Sequence, residues 1–231
     1  MGTSERRQRQ KEELRQKILD AARELFGKRG YEAVTMREIA ARIEYSATAL
    51  YGHFADKETL VRELCRQDFA SLAQRFMEIA QVPDPVERLC RAGLAYLDFA
   101  RHFPEHYRLM FMTPLPPQPP AEGERDDPQQ NAYVFLRSLV EELMKNKALR
   151  AELDDVDLVS QTIWALVHGT AALDLILDKN EPWMDFKPRN PRVAAALELC
   201  TYGLLRDPKR GSATLQRVLA ESAEKPAKRR K

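Results

Sequence analysis

Residues 32–60 set out small polar side chains at spacings suited to holding a nucleic acid. Thr35-Met36-Arg37-Glu38 has the form of a capping box, in which a threonine hydroxyl takes the amide three places on and the glutamate reaches back. The helix it starts should end near Arg42, and Ser46 is the next good N-cap. Free N–H groups at a capped helix start suit phosphate oxygens. The second helix, Ala47 to about Gly52, carries Ser46, Ala47, Thr48 and Tyr51 on one side, small or polar enough to enter a major groove. Leu50 and Phe54 lie on the other side and should anchor it. His53 is better read as a phosphate contact than as a catalytic base, and Lys57, opening the next long helix, can neutralise another phosphate. Two short helices about four residues apart read as a helix-turn-helix. The candidate DNA-contacting set is therefore Thr35, Met36, Arg37, Ser46, Ala47, Thr48, Tyr51, His53 and Lys57.

Other chemistry is not supported. No nucleophile–base pair is evident, and no His, Asp or Glu residues fall at metal-ligand spacing. Cys65, Cys90 and Cys200 are odd in number and far apart. They read as buried thiols of a reduced, cytoplasmic protein. No catalytic residue, metal or cofactor is expected. The longest near-apolar run, Ile163–Leu177, is 15 residues long and is interrupted by His168 and Asp174. A membrane span needs about 20. The N-terminus is polar and lacks the apolar stretch of a signal peptide, so no membrane partner is expected.

The elements that must position these residues are helical. With 9 Gly in 231 residues, no strand-like alternation and a composition rich in Leu, Ala, Arg and Glu, the chain reads as all-α. Leu14, Ile18, Leu19, Ala21, Ala22, Leu25 and Phe26 mark one buried stripe over 13–28, stopped by Gly30. Asp56 should cap a long helix through about Ile79. Further helices are expected over 85–103, 105–112, 131–147, 155–177 and 191–205, with a last one over 212–221. Residues 113–130 hold six prolines and read as a loop. The net charge of +2 hides a segmental pattern: +2 over 1–60, −6 over 61–205 and +6 over 206–231. An acidic body would be repelled by DNA, which leaves the N-terminal segment to make the contact. The domains predicted are a flexible basic arm at 1–12, a helix-turn-helix domain at 13–62, a ligand-binding and dimerisation domain at 63–222 and a disordered basic tail at 223–231.

Over residues 13–65 the sequence resembles the TetR family of bacterial transcription regulators. The resemblance rests on Ala21-Ala22, Leu25-Phe26, Gly30-Tyr31, Thr35 through Ala40, Ser46, Leu50 through Phe54 and Lys57-Glu58-Thr59-Leu60, in position, order and spacing. It implies an all-helical homodimer whose N-terminal three-helix domains bind a palindromic operator in double-stranded DNA. It also implies a C-terminal helical bundle that binds a small-molecule effector and releases the DNA. Two residues depart from the family pattern. Glu44 stands where Gly is common in the turn, at a cost of roughly 1 kcal/mol or more for a left-handed conformation. Ala47 stands where a basic residue is frequent, so contact through methyl groups gains weight, from Ala47 and Thr48 to thymine. The basic arm Arg6-Arg7-Gln8-Arg9-Gln10-Lys11 can compensate at the backbone or minor groove, or be a solvated arm.

In the second half, Phe103 through Phe111 and Trp164…His168-Gly169 resemble a TetR C-terminal subgroup with a Trp…His-Gly motif. The expected effector is small and apolar or aromatic. The ligand-contact candidates are Phe103, Tyr107, Met110, Phe111, Phe135, Leu139, Trp164 and His168; taken singly, the aromatic residues, Met110 and His168 read as core before they read as pocket. The resemblance places the dimer interface on the last two major helices, about 155–178 and 191–205. Its candidates are Val159, Ile163, Leu166, Val167, Thr170, Val193, Leu197, Cys200 and Leu204. A helix apolar on two faces must be covered on two sides, and Gly169 suggests a close helix crossing. The leading expectation is a ligand-responsive regulator, usually a repressor. The alternatives are a ligand-independent DNA-binding protein and a carrier or enzyme with a structural helix pair at 35–52.

Overall fold

Local capping chemistry decides where most helices begin. The computed structural model describes residues 3–113, 127–128, 131–177 and 182–224. Among them it has ten helices and, apart from one isolated antiparallel bridge between Leu149 and Leu205, no β-structure. The helices are α1 Thr3–Arg29, α2 Met36–Arg42, α3 Ala47–Tyr51, α4 Lys57–Ile79, α5 Pro85–His102, α6 Pro104–Met112, α7 Ala132–Lys145, α8 Val156–Ile176, α9 Arg189–Leu204 and α10 Pro208–Glu224. Asp56 takes the Thr59 amide at 2.6 Å, Asn131 takes the amides of Tyr133 and Val134, and Asp155 takes that of Leu158 at 3.0 Å. The all-α fold expected from composition and periodicity is the observed one.

Several boundaries differ from the expected ones for local reasons. α1 does not fray before Glu13 but runs out to Thr3. No Gly or Pro interrupts residues 3–12, and Gln8 bonds Glu12 while Arg9 pairs with Glu13 across one turn. α9 and α10 start earlier than read, because Pro191 and Pro208 sit in first turns, where proline has no amide partner to lose. The expected loop at 113–130 lies outside the described residues except at 113, 127 and 128, and the expected tail does so from 225.

The helices group into two compact units. The first holds α1, α2, α3, the part of α4 up to Phe69, and α6; the second holds the rest of α4, α5 and α7 to α10. Residues 103–112, expected with the second domain, therefore pack in the first unit. The first unit's core is the α1 stripe Ile18, Leu19, Ala22 and Phe26 against Ile39, Leu50, Phe54, Leu60 and Leu64, with Leu109 of α6 closing one side. Full burial of each large side chain contributes about 1.5–3 kcal/mol. A buried ion cluster adds α6 to this unit. Asp68 on α4 accepts from Arg23 of α1 at 2.9 Å and bonds the His106 ring of α6 at 2.8 Å. In the second unit α5 and α9 approach closely, and a Cβ on Gly93 would meet Leu197 at 2.8 Å. No described helix is long and apolar enough to cross a membrane.

Candidate nucleic-acid interface

α1 ends at Gly30, whose φ of +80° is left-handed backbone that glycine adopts at no steric cost. The turn into α2 is then pinned by Lys57. Its ammonium donates to the carbonyls of Tyr31 at 3.0 Å and Val34 at 3.1 Å and sits 4.1 Å from the Tyr31 ring centre. At Thr35 the capping box is complete: Glu38 N–H donates to the threonine hydroxyl at 3.3 Å, and Thr35 N–H to the Glu38 carboxylate at 2.8 Å. The Thr35 hydroxyl and Arg29 beside it hold the Glu38 carboxyl down to about 2.

The four residues between α2 and α3 form a tight stop. Glu44 has φ +61°; its amide returns to Ala41 at 3.2 Å and that of Tyr45 to Ala40 at 3.0 Å. This is the paired-bond helix terminator whose left-handed position usually carries Gly. Glu44 thus occupies the left-handed position of this stop. Ser46 then accepts the Ala49 amide at 3.2 Å and starts α3. Leu50 and Phe54 are buried beneath it, while Ser46, Thr48 and Tyr51 face outward.

The candidate set divides under this geometry. Thr35, Arg37, Ser46, Thr48 and Tyr51 are exposed, and Ala47 is half-buried. Met36 is buried in the core, so its side chain offers nothing to DNA and only its backbone amide remains. Lys57 already spends two donors on the α1–α2 turn, so its first role is structural, with one N–H left over. His53 is half-buried, its Nδ1 has no hydrogen-bond partner, and burial, then Lys11 and Arg15, lower its pKa. Sequence reasoning missed Tyr45, which stands 44% exposed beside Ser46. An aromatic hydroxyl in a polar turn, with no apolar stripe to join, was the available signal.

The eight ligand candidates do not form one group. Phe103, Tyr107, Met110 and Phe111 belong to the first unit, where Tyr107 is fully buried against Phe111 and Phe111 packs edge-on to Phe69. Phe135, Leu139, Trp164 and His168 belong to the second. There Phe135 is buried and stacks on Phe76, and Leu139 is buried core. Trp164 and His168 meet through a residue the sequence reading passed over. The Tyr96 hydroxyl accepts from Trp164 Nε1 at 3.2 Å and bonds His168 Nδ1 at 2.9 Å. Burial lowers the His168 pKa, which favours its neutral form. A separate pocket of about 240 Å³, lined in part by Val86, Lys147, Leu205 and Arg206, contains none of the eight.

The interface candidates on α8 and α9 divide by burial within the single chain. Val159, Ile163, Val167, Val193, Leu197 and Leu204 are all buried within the chain itself, which leaves them little surface to offer a second copy. Only Leu166, Thr170 and Cys200 keep partial exposure. The free apolar stripe is the neighbouring one. Leu158, Ala165, Leu173 and Ile176 are exposed on α8, and Leu199 and Tyr202 on α9. Gly169 and Gly203 lie on these exposed faces with nothing within 4 Å of the position a Cβ would take. Gly169 is therefore not required by any crossing inside the chain.

A capped helix pair with a tight left-handed stop and an outward polar face defines a helix-turn-helix protein. Comparison with known proteins narrows the class. Residues 18–64 match the family described as bacterial regulatory proteins, tetR family, and residues 89–176 match the tetracyclin repressor-like C-terminal domain. This chain belongs to the TetR family, a family of transcriptional regulators rather than enzymes. It is 35% identical over 102 residues to the transcriptional activator FasR of Mycolicibacterium smegmatis, covering 44% of this chain and 47% of that one. It is 42% identical over 60 residues to the transcriptional repressor AcnR of Corynebacterium diphtheriae, covering 26% and 32%. The matches thus span less than half the length of these relatives. Among solved structures, a TetR-family transcriptional regulator from Pectobacterium atrosepticum aligns with TM-score 0.61 at 25% identity, over 86% of this chain and 97% of that one. A gamma-butyrolactone receptor aligns with TM-score 0.62 at 23% identity, over 91% and 99%, a likeness of fold.

Proposed function

We propose that this protein is a cytoplasmic, DNA-binding transcriptional regulator that grips a palindromic operator as a homodimer and releases it when a small apolar or aromatic effector binds. The observation that carries this reading is the α2–α3 pair, whose buried side is closed by Leu50 and Phe54 and whose outer side offers Ser46, Thr48 and Tyr51. α3 enters the major groove, with Thr48 and Tyr51 at the bases and Thr35 and Arg37 at the backbone. The second copy covers the exposed stripe of α8 and α9, since a contiguous apolar face rimmed by polar residues marks an interaction surface. The open Gly169 and Gly203 positions leave room for a partner helix to come close. The effector reading is supported by Tyr96, Trp164 and His168, a hydrogen-bonded polar group among aromatic rings suited to orienting a mostly apolar molecule. Effector binding favours a dimer whose two α3 helices no longer sit about 34–36 Å apart, which removes one half-site.

The test is in vitro selection from random duplex DNA at low salt, followed by mobility shift on the recovered sequence. A palindrome retarded by wild-type protein, and lost in a Thr48→Ala/Tyr51→Ala variant with an unchanged melting temperature, supports the reading. Recovery of no preferred sequence, or loss of folding in that variant, defeats it. Leu199→Glu is expected to yield monomers in sedimentation, and dimers that survive it refute the α8–α9 face.

A further inference from the structure

We infer that the outward turns of α1 form a second DNA-contacting element, in which Arg7 and Lys11 hold the sugar-phosphate backbone flanking each half-site; the inference rests on the regulator reading above. α1 runs unbroken to Thr3. At about 100° per residue, Arg7 and Lys11 continue the line of Leu14, Ile18, Ala22 and Leu25, the stripe α1 turns toward the other helices of its unit. The stripe changes from apolar to cationic where the core ends. Ile18 and Ala22 are buried and Leu14 is half-buried, while Arg7 and Lys11 are exposed. Glu5, Glu12 and Glu13 fall on the opposite side of the same turns. The face that looks inward over the body therefore looks, past its edge, at whatever the body rests on, and that face is basic.

The position of the edge follows from Arg15. Its guanidinium lies 4.9 Å from the Phe54 ring centre and donates to Glu63 at 3.2 Å, which fixes this part of α1 beside the end of α3. Lys11 is one turn further out, near enough that it and Arg15 both bear electrostatically on His53. Arg7 is one more turn, about 6 Å, beyond. Neither Arg7 nor Lys11 has an ion-pair or hydrogen-bond partner among the described residues. The outer turns of α1 thus leave the body at the C-terminal end of the recognition helix, which places two free cations per copy over the backbone that borders the occupied groove. Because they are held on a helix instead of a loose arm, little ordering is needed on contact. Such contacts add affinity and salt dependence without reading bases.

The experiment uses full-length protein and a duplex of about 40 base pairs carrying the palindrome recovered by selection with wild-type protein. Anisotropy titrations are run over a range of KCl concentrations. Neutralising Arg7 and Lys11 as Arg7→Gln/Lys11→Gln removes four phosphate contacts per dimer, so the slope of log K against log salt should fall in magnitude by about 3–4. Wild-type protein should then lose roughly 100-fold more affinity than the variant between about 50 and 200 mM salt. The preferred sequence should stay the same and so should the melting temperature. The equal charge change on the opposite side, Arg6→Gln/Arg9→Gln, should move the slope by less than half as much. Trimming the duplex to the half-sites should bring wild-type protein down to the level of the Arg7/Lys11 variant. A wild-type slope in that variant overturns the inference while leaving the regulator reading intact. An equal loss in both charge pairs also overturns it, since it would reduce the effect to net charge. Failure of wild-type protein to select any sequence removes the regulator reading and this inference together.

Discussion

Asp68 offers a sharp test of how α6 is held in the first unit. Its side chain is 3% exposed and takes a charge-assisted hydrogen bond from Arg23, itself 16% exposed, while bonding His106. Its second oxygen already lacks a partner, as does Arg23 Nε. Asp68→Asn keeps the shape and removes the charge, leaving Arg23 in a largely buried place with only the exposed Asp20, 3.6 Å away, for company. Removing one partner of a buried pair costs about 3–5 kcal/mol; the residual Asp20 contact trims this to about 2–4 kcal/mol. For a chain of this size that is a fall in melting temperature of roughly 4–16 °C. Urea titration of Asp68→Asn, Arg23→Met and the double variant completes the cycle. The double variant should recover part of the loss, because an apolar replacement for both charges leaves none buried alone. A loss below about 1 kcal/mol in the single variant, or strict additivity in the double, would refute the reasoning.

Three further outcomes follow from the same structure. Glu44→Gly relieves the left-handed backbone at φ +61° and should raise stability by about 0.5–1 kcal/mol; a lowered melting temperature would contradict it. The Glu38 carboxyl, held down to about 2 by Thr35 and Arg29, has a folded pKa below its usual 4.5. Its stabilising contribution is therefore present above pH 4.5 and lost as pH falls toward 2, and Thr35→Ala should flatten that part of the stability–pH curve. Burial pushes the thiols of Cys65 and Cys90 up to about 12 and Cys200 up to about 11. A disulfide reagent at pH 8 should thus label all three slowly in native protein and rapidly in urea, and a fast native phase would show that one of them is accessible.

What could be read from the sequence alone was local. Thr35 with Glu38, Ser46, Asp56, Asn131 and Asp155 announce helix starts, because a cap is a contact over two or three residues that no distant neighbour need complete. The buried side of α3 was legible for the same reason, since Leu50 and Phe54 are one turn apart. The left-handed backbone at Glu44 came from the family resemblance, which has Gly there, and not from the local residues. Lys57 was not fully legible, because the carbonyls it holds are 23 and 26 positions away.

Tertiary structure alone decided which of two apolar faces goes inward. α8 carries one stripe through Val159, Ile163 and Val167 and another through Leu158, Ala165 and Leu173, and periodicity ranks them equally. Packing against α5, α7 and α9 buries the first and leaves the second to solvent. The same holds for Tyr96, whose hydroxyl joins Trp164 and His168 from a helix about 70 residues earlier. It holds again for Asp68, which meets Arg23 and His106 from positions 45 and 38 away. Caps are settled by bonds between near neighbours; faces and buried charges are settled by which helices meet, and that depends on the whole chain's burial of apolar surface.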